Sequence, residues 1–247
     1  MKTIFDGGEA DMINSHDSCE WEEDTYWERV AKSRWGMYVS DAERRAILMA
    51  NDLAKGIATH TALDVGCDGG RWTKLVVDLG WEVISTDINP DTLSVCQKRI
   101  PSAKCILVEK DSTTLPCETE SCVLLLCIEV PVSSSDWFQK EAIRVLHTGG
   151  LMVIVIQNRR SLRGHFYHLT STLKKRIDYY KISYPQWRNE LCKKGFNLIS
   201  EEGICWFPFR RSSNSILVPA FIQLEEVLGL RRLPSLSPWV VLVARKQ

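Results

Sequence analysis

Three acids and a cluster of glycines are the residues of this sequence whose types and spacing could do chemistry. The run ALDVGCDGG, residues 62–70, closes an apolar segment at Gly66, and Gly66, Gly69 and Gly70 would let a backbone turn approach a ligand closely. Asp87 ends the next apolar segment, 21 residues after Gly66. At that interval an acid accepts hydrogen bonds from ribose hydroxyls. Asp111 follows the third segment, over the same crevice, and could accept from an exocyclic amine. The turn reads Gly-Cys-Asp-Gly-Gly-Arg, so Asp68 stands where a nicotinamide fingerprint requires glycine, and its carboxylate would repel a pyrophosphate. No Gly-Lys-Ser/Thr follows, which excludes a P-loop. The pattern describes an adenosine bound without phosphates, in a ligand that is otherwise zwitterionic or cationic.

The surrounding elements must position these groups. Strand-like runs lie at 62–66, 82–87, 104–109, 122–128 and 151–157, with helical patterns between most of them. Trp72, Leu75, Val76 and Leu79 recur at helical spacing. Asn89-Pro90 reads as a cap and first-turn proline opening a helix to about Arg99, and Asp136 as the cap of a helix to Leu146. Strands apolar on both faces and alternating with helices predict a parallel sheet covered on both sides. Upstream, DTYWERVAKSRW predicts a short amphipathic helix, and Ser40 with Glu43 reads as a capping box opening a helix over 41–54. Downstream, Pro185 opens a helix that Gly195 ends, a strand follows near 198–206, Pro219 starts a helix to Leu228, and SPWVVLVARK supplies a last strand. The stretch 159–184 is basic and aromatic and carries no strand signal.

Composition narrows the class. The chain has 247 residues, with 31 basic and 31 acidic residues and a pI near 6.9, so no global charge favours nucleic acid or an anionic membrane. The first 24 residues are polar and acidic without the apolar region of a signal peptide, and no stretch reaches transmembrane length; the expectation is a cytoplasmic protein. Nine cysteines without a Cys-x-x-Cys pair suit reduced, mostly buried thiols better than zinc or a disulfide framework. No metal site is expected.

The stretches DVGCDGG, TDINP, EKDSTTLP and RVLHTGGLMVIV, in order and at their intervals over about 60–160, resemble the motifs of class I S-adenosylmethionine-dependent methyltransferases. The closest look is to the small-molecule branch that includes the ubiquinone and menaquinone biosynthesis enzymes, with weaker likeness at YPQWRNELCKKGF and the final strand. The resemblance implies a Rossmann-like, doubly wound α/β sheet, mostly parallel with an antiparallel last strand, in one domain. Its core would be about 55–158, 185–209 and 236–247, with a helical lid from about 20–40 and caps from 159–184 and 210–233. It implies S-adenosylmethionine as cofactor, which carries a sulfonium and an ammonium and tolerates acids in the turn. By the same resemblance Asp64 organises the methionine end, with Gly66, Cys67 and Gly70 in the turn. Asp87 pairs the ribose diol, Ile88 packs on the adenine, and Asp111 with Ser112 lies at the adenine amine. Cys127, Ile128 and Glu129 lie beneath the sulfonium. The sequence departs from the family at Asp68, at Cys122 and Val123, and in lacking a histidine after the fourth strand.

The expected reaction is methyl transfer to O, N or C of a small or medium organic acceptor. Glu129, His165, His168 and Tyr184 are the candidates for a catalytic base. Arg34 could meet the methionine carboxylate, against the simpler reading that Trp35 packs the helix on the sheet and Arg34 is exposed. Two rivals stand beside this reading. An RNA methyltransferase would use the basic 159–181 run, but the neutral pI and the missing (D/N)PP(Y/F) motif disfavour nucleic acid. A non-catalytic partner protein would bind the cofactor without turnover. The sequence leaves the oligomeric state open.

Overall fold

The strand Cys122–Cys127 (β4) is apolar at every position and buried at every position, and the sheet is built outward from it. In the computed structural model the described residues are 24–56, 60–167 and 180–247. Seven strands lie in the order β3-β2-β1-β4-β5-β7-β6. They are β1 (Thr61–Val65), β2 (Glu82–Asp87), β3 (Lys104–Leu107), β4, β5 (Leu146–Gln157), β6 (Phe196–Ile204) and β7 (Trp239–Lys246). The first five pair in parallel, and β7 runs antiparallel between β5 and β6. The strand order reverses between β1 and β4, so a crevice opens at their carboxyl ends. β6 points the same way as β1, β4 and β5, and the loop after Ile204 therefore emerges over that crevice.

Alternation sorts the strands into two cores. Ala62, Leu124, Leu126 and Val153 face one side, where they meet α2 (Arg34–Leu53) and Val76 of α3 (Arg71–Asp78). Leu63, Leu125, Cys127 and Ile154 face the other, where they meet α5 (Asp136–Val145) and α7 (Tyr184–Lys193). α4 (Pro90–Arg99), with the Asn89 side chain accepting from the Asp91 amide, covers the β2–β3 edge through Leu93 and Cys96. The remaining helices are α1 (Tyr26–Ala31), α6, described over 162–167, and α8 (Val218–Val227).

Several boundaries differ from the sequence expectation. The helix read as starting at Ser40 begins at Arg34, capped by the Ser33 hydroxyl, which accepts from the Gly36 amide at 3.0 Å. Trp35, Tyr38, Val39, Ala42, Ala46, Ile47 and Ala50 form one continuous buried stripe, so packing carries the helix through the local Ser40–Glu43 capping signal. Ser40 accepts from Arg71 instead, at 2.6 Å. Asp136 is the first residue of α5 rather than its cap, which is Ser135. In 159–184 the described residues hold a single parallel bridge, Asn158 to Ile182. Trp35 packs between Tyr38 and Phe209 while Arg34 is exposed, as the simpler reading had it. The eight described cysteines are free; seven are buried or lie close to the core, and Cys192 is exposed.

Candidate cofactor site

The turn after β1 is stitched to the end of β2. The Gly66 and Cys67 amides both donate to the Thr86 carbonyl, at 2.7 and 3.0 Å. Gly66 and Gly70 take left-handed backbone, φ 72° and 89°, which glycine adopts without a Cβ penalty. A Cβ at Gly66 would lie 2.5 Å from the Val130 side chain, and one at Gly70 2.7 Å from the Cys96 sulfur. The protein's own packing therefore already requires these glycines. Asp68 is left-handed without being glycine, φ 48°. Its amide donates to Asp87 at 2.9 Å, and the Asn89 amide donates to the other Asp87 oxygen, also at 2.9 Å. Each of those carboxylate oxygens keeps acceptor capacity for a ligand.

Asp64 sits below this surface, 3 % exposed, and accepts from the Thr73 hydroxyl at 2.7 Å; Thr73 in turn meets Ser85 at 2.9 Å. Burial pushes its carboxyl up to about 6 despite the Thr73 bond. Its role in the geometry is to lock α3 against β1 and β2 directly beneath the turn.

The first helix closes on the turn. The Thr25 hydroxyl donates to the Asp68 carboxylate, and Glu28 pairs with Arg99 at 2.5 Å. Arg99 also reaches the Gly69 carbonyl at 3.4 Å. A capping box between Thr25 and Glu28 starts α1 at this contact. Asp68 is thus held by a hydroxyl from the lid.

On the other side Ile88 is exposed at the end of β2, and Asp111 and Ser112 line a cleft of about 400 Å³ with Ile106, Leu107 and Val108. The Val108 amide donates to the Asp87 carbonyl at 3.0 Å, which joins that cleft to the turn. The carboxylates of Asp64, Asp68 and Asp87 crowd one turn, and its basic residue, Arg71, is engaged by Ser40 and by Glu43 at 3.3 Å. This donor set suits a ligand with hydroxyls, an amine and positive charge, and fits S-adenosylmethionine.

The floor is the end of β4. Cys127 and Ile128 are buried, and Glu129 is left-handed at φ 58°, a backbone state that costs a non-glycine residue free energy and that gathers at functional sites. Its carboxylate is gripped by Arg211, from the loop after β6, at 2.7 and 3.2 Å. Glu43 of α2, fully buried, completes the group together with Arg71. Burial, and then the neighbouring Glu129 charge, push the Glu43 carboxyl well above the usual range. Burial also raises Glu129, but Arg211 and the hydrogen bond from Glu43 outweigh it and hold Glu129 low. Glu43 Oε1 has no conventional partner; a proton on Glu43, donated to Glu129, satisfies it.

Of the other base candidates, His165 is exposed and His168 lies outside the described residues. Tyr184 is fully buried in the α7 core, where its hydroxyl donates to Glu201 at 2.5 Å instead of standing free as a base. Sequence reasoning missed Glu43, Arg71, Arg211 and the Thr25–Glu28–Arg99 latch. One signal was available, because Glu43 falls between Ala42 and Ala46 on the apolar face of its own helix.

A family model described as a methyltransferase domain matches residues 63–154. No curated protein matches the chain. Among solved structures, an S-adenosylmethionine-dependent methyltransferase from Mesorhizobium loti superposes with a TM-score of 0.59 at 14% identity, over 88% of this chain and 100% of that one. Another from Archaeoglobus fulgidus gives 0.57 at 17% identity, over 90% and 100%. At such identity these two likenesses establish the fold.

Proposed function

We propose that this chain, a class I S-adenosylmethionine-dependent methyltransferase by its domain over 63–154, methylates an O, N or C nucleophile of a small or medium organic molecule, in the manner of the quinone-biosynthesis branch. The observation that carries the reading is the Glu129–Arg211 bridge, 2.7 Å long, which ties the loop after β6 to the end of β4. With α1 latched to the turn from the other side, the crevice has a roof over the reacting end. Such a site suits enclosure of a small acceptor better than an open groove for a polymer.

When bound, the cofactor supplies a methyl group already activated on a sulfonium. The protein's task is then positioning and exclusion of water. Asp87 takes the ribose hydroxyls, Ile88 covers the adenine face, and Asp111 with Ser112 takes the adenine edge. Gly66, Cys67 and Gly70 shape the turn, Asp64 holds it from beneath, and Cys127 and Ile128 form an apolar floor. Glu129, kept ionised by Arg211, is too weak a base to drive proton removal and serves as the negative charge facing a cationic centre.

The test is a metabolite screen with isotopically labelled S-adenosylmethionine. Transfer of label to a small molecule is the expected result. Label appearing only in RNA, or cofactor binding without any turnover, would overturn the small-acceptor reading.

A further inference from the structure

α8 is apolar over more of its circumference than the fold covers. Its inner face packs inward: Val218 is buried, and Phe221 meets Phe207 and Phe209. On the opposite face Leu217, Ala220, Leu224, Val227 and Leu228 recur at three- and four-residue spacing and stay exposed, Val227 at 76 %. Ile216, 80 % exposed, extends this stripe at one end, and Leu233 and Leu236 continue past the other. Leu162, at the start of α6, is 92 % exposed. Hydrogen bonds join the two segments: the Asn158 side-chain amide donates to the Ser235 and Ser237 carbonyls at 3.0 Å, and Arg163 donates to the Phe209 carbonyl at 3.3 Å.

The charge on these segments is one-sided. Residues 158–167 and 206–237 hold seven arginines and two glutamates, although the whole chain balances at 31 and 31. Both glutamates face Arg231, Glu226 at 3.0 Å and Glu225 at 3.7 Å. Arg159, Arg160, Arg210 and Arg232 are exposed and have no ion pair among the described residues. Guanidinium groups are weakly hydrated and match phosphate geometry. An apolar helical stripe rimmed by such groups is the pattern of a helix lying in an anionic membrane interface. No helix among the described residues is long and apolar enough to cross a membrane, so the contact is with the surface.

We propose that the outer face of α8, with the arginine-rich loops beside it, docks this protein on an anionic lipid bilayer. The inference stands independently of which acceptor is methylated. The experiment is co-sedimentation of the full chain with phosphatidylcholine vesicles and with the same vesicles containing phosphatidylglycerol. The expected result is binding to the anionic vesicles alone, reversed by salt and not competed by soluble glycerol phosphate. The triple variant Leu217→Glu, Leu224→Glu, Val227→Glu should lose vesicle binding while keeping its circular dichroism and its affinity for S-adenosylhomocysteine. Because that variant could fail to fold, Arg210→Ala and Arg232→Ala give a second arm, each lowering partition about fivefold. Equal binding to neutral vesicles, no sedimentation at all, or salt-sensitive RNA binding in place of vesicle binding would overturn the proposal. So would a wild-type dimer that the triple variant renders monomeric, since a second copy would then be the occupant.

Discussion

The backbone amide of Asp68 donates to the Asp87 carboxylate at 2.9 Å, so the acid proposed to hold the ribose also holds the turn that shapes the site. Asp111 has no such second duty; it is an exposed acid on the cleft after β3. Asp87→Ala should therefore weaken S-adenosylhomocysteine binding more than Asp111→Ala. Hydrogen bonds to a charged group contribute about 1.5–3 kcal/mol each, so losing two lowers affinity from about tenfold to well over a hundredfold. Calorimetry on both folded variants decides it. Equal affinity in wild type and Asp87→Ala would remove the ribose from this position.

The lid latch makes a separable prediction. Thr25 both caps α1 and donates to Asp68, and Glu28 pairs with Arg99. Thr25→Ala removes a cap and an anchor at once, a loss of about 1 kcal/mol or somewhat more. Limited proteolysis should cut within α1 faster in this variant, and bound S-adenosylhomocysteine should protect less. Asp68→Gly should show the same faster cutting even though it relieves the left-handed strain at that position. Unchanged proteolysis in both variants would mean that α1 is held by packing alone.

The sheet was legible because alternation and turn signals are local. The first four parallel strands are each an apolar run closed by glycine or an acid, at Gly66, Asp87, Glu109 and Glu129, and the fifth is an apolar run without that stop signal. Asp87, Ile88 and Asp111 were readable as candidates for the same reason: they stand at or a few residues past the ends of β2 and β3, and those ends gather at one edge. The Glu43–Glu129–Arg211–Arg71 group was not, because its members come from four elements between 43 and 211 and meet only through the fold. Glu43 misled for a further reason. Its capping signal with Ser40 is real as a pattern, but the buried stripe from Trp35 onward is worth more than one cap, and the helix runs through it.

Asp64 should impose a pH dependence on stability. Its folded carboxyl holds a proton up to about 6, chiefly through burial, while the unfolded one ionises near its ordinary value of about 4. The raised value makes its stabilising share complete below about pH 4, and that share is lost as pH rises through about 6. Two units correspond to about 3 kcal/mol as an upper figure. Asp64→Asn keeps an acceptor for the Thr73 hydroxyl and cannot ionise. Relative to wild type, Asp64→Asn should gain stability between about pH 4 and pH 7. Urea denaturation of both proteins at the two ends of that range measures the gain. A constant difference at both ends would show that the carboxyl is not titrating there.

The bridge between Glu129 and Arg211 should behave as a buried ion pair with a third member. Both side chains are mostly buried, and Glu43 beside them is completely so. Removing Arg211 leaves the Glu129 charge without its main partner, and such a loss costs about 3–5 kcal/mol. Arg211→Ala should therefore unfold at lower urea than any single exposed-arginine variant. Neutralising the orphan should recover much of this: Arg211→Ala with Glu129→Gln should be more stable than Arg211→Ala alone, although it carries one more substitution. Glu43→Gln retains an N–H donor toward Glu129 and should be tolerated far better than Glu43→Ala, which leaves a cavity and an unbonded carboxylate. Denaturant midpoints for wild type, Arg211→Ala, Glu129→Gln and the double variant complete a double-mutant cycle, whose coupling term should reach about 1–3 kcal/mol for residues in direct contact. If the double variant is less stable than Arg211→Ala by the full cost of Glu129→Gln, the two residues are uncoupled. The cap would then be held over β4 by Trp35 and Phe209 rather than by charge.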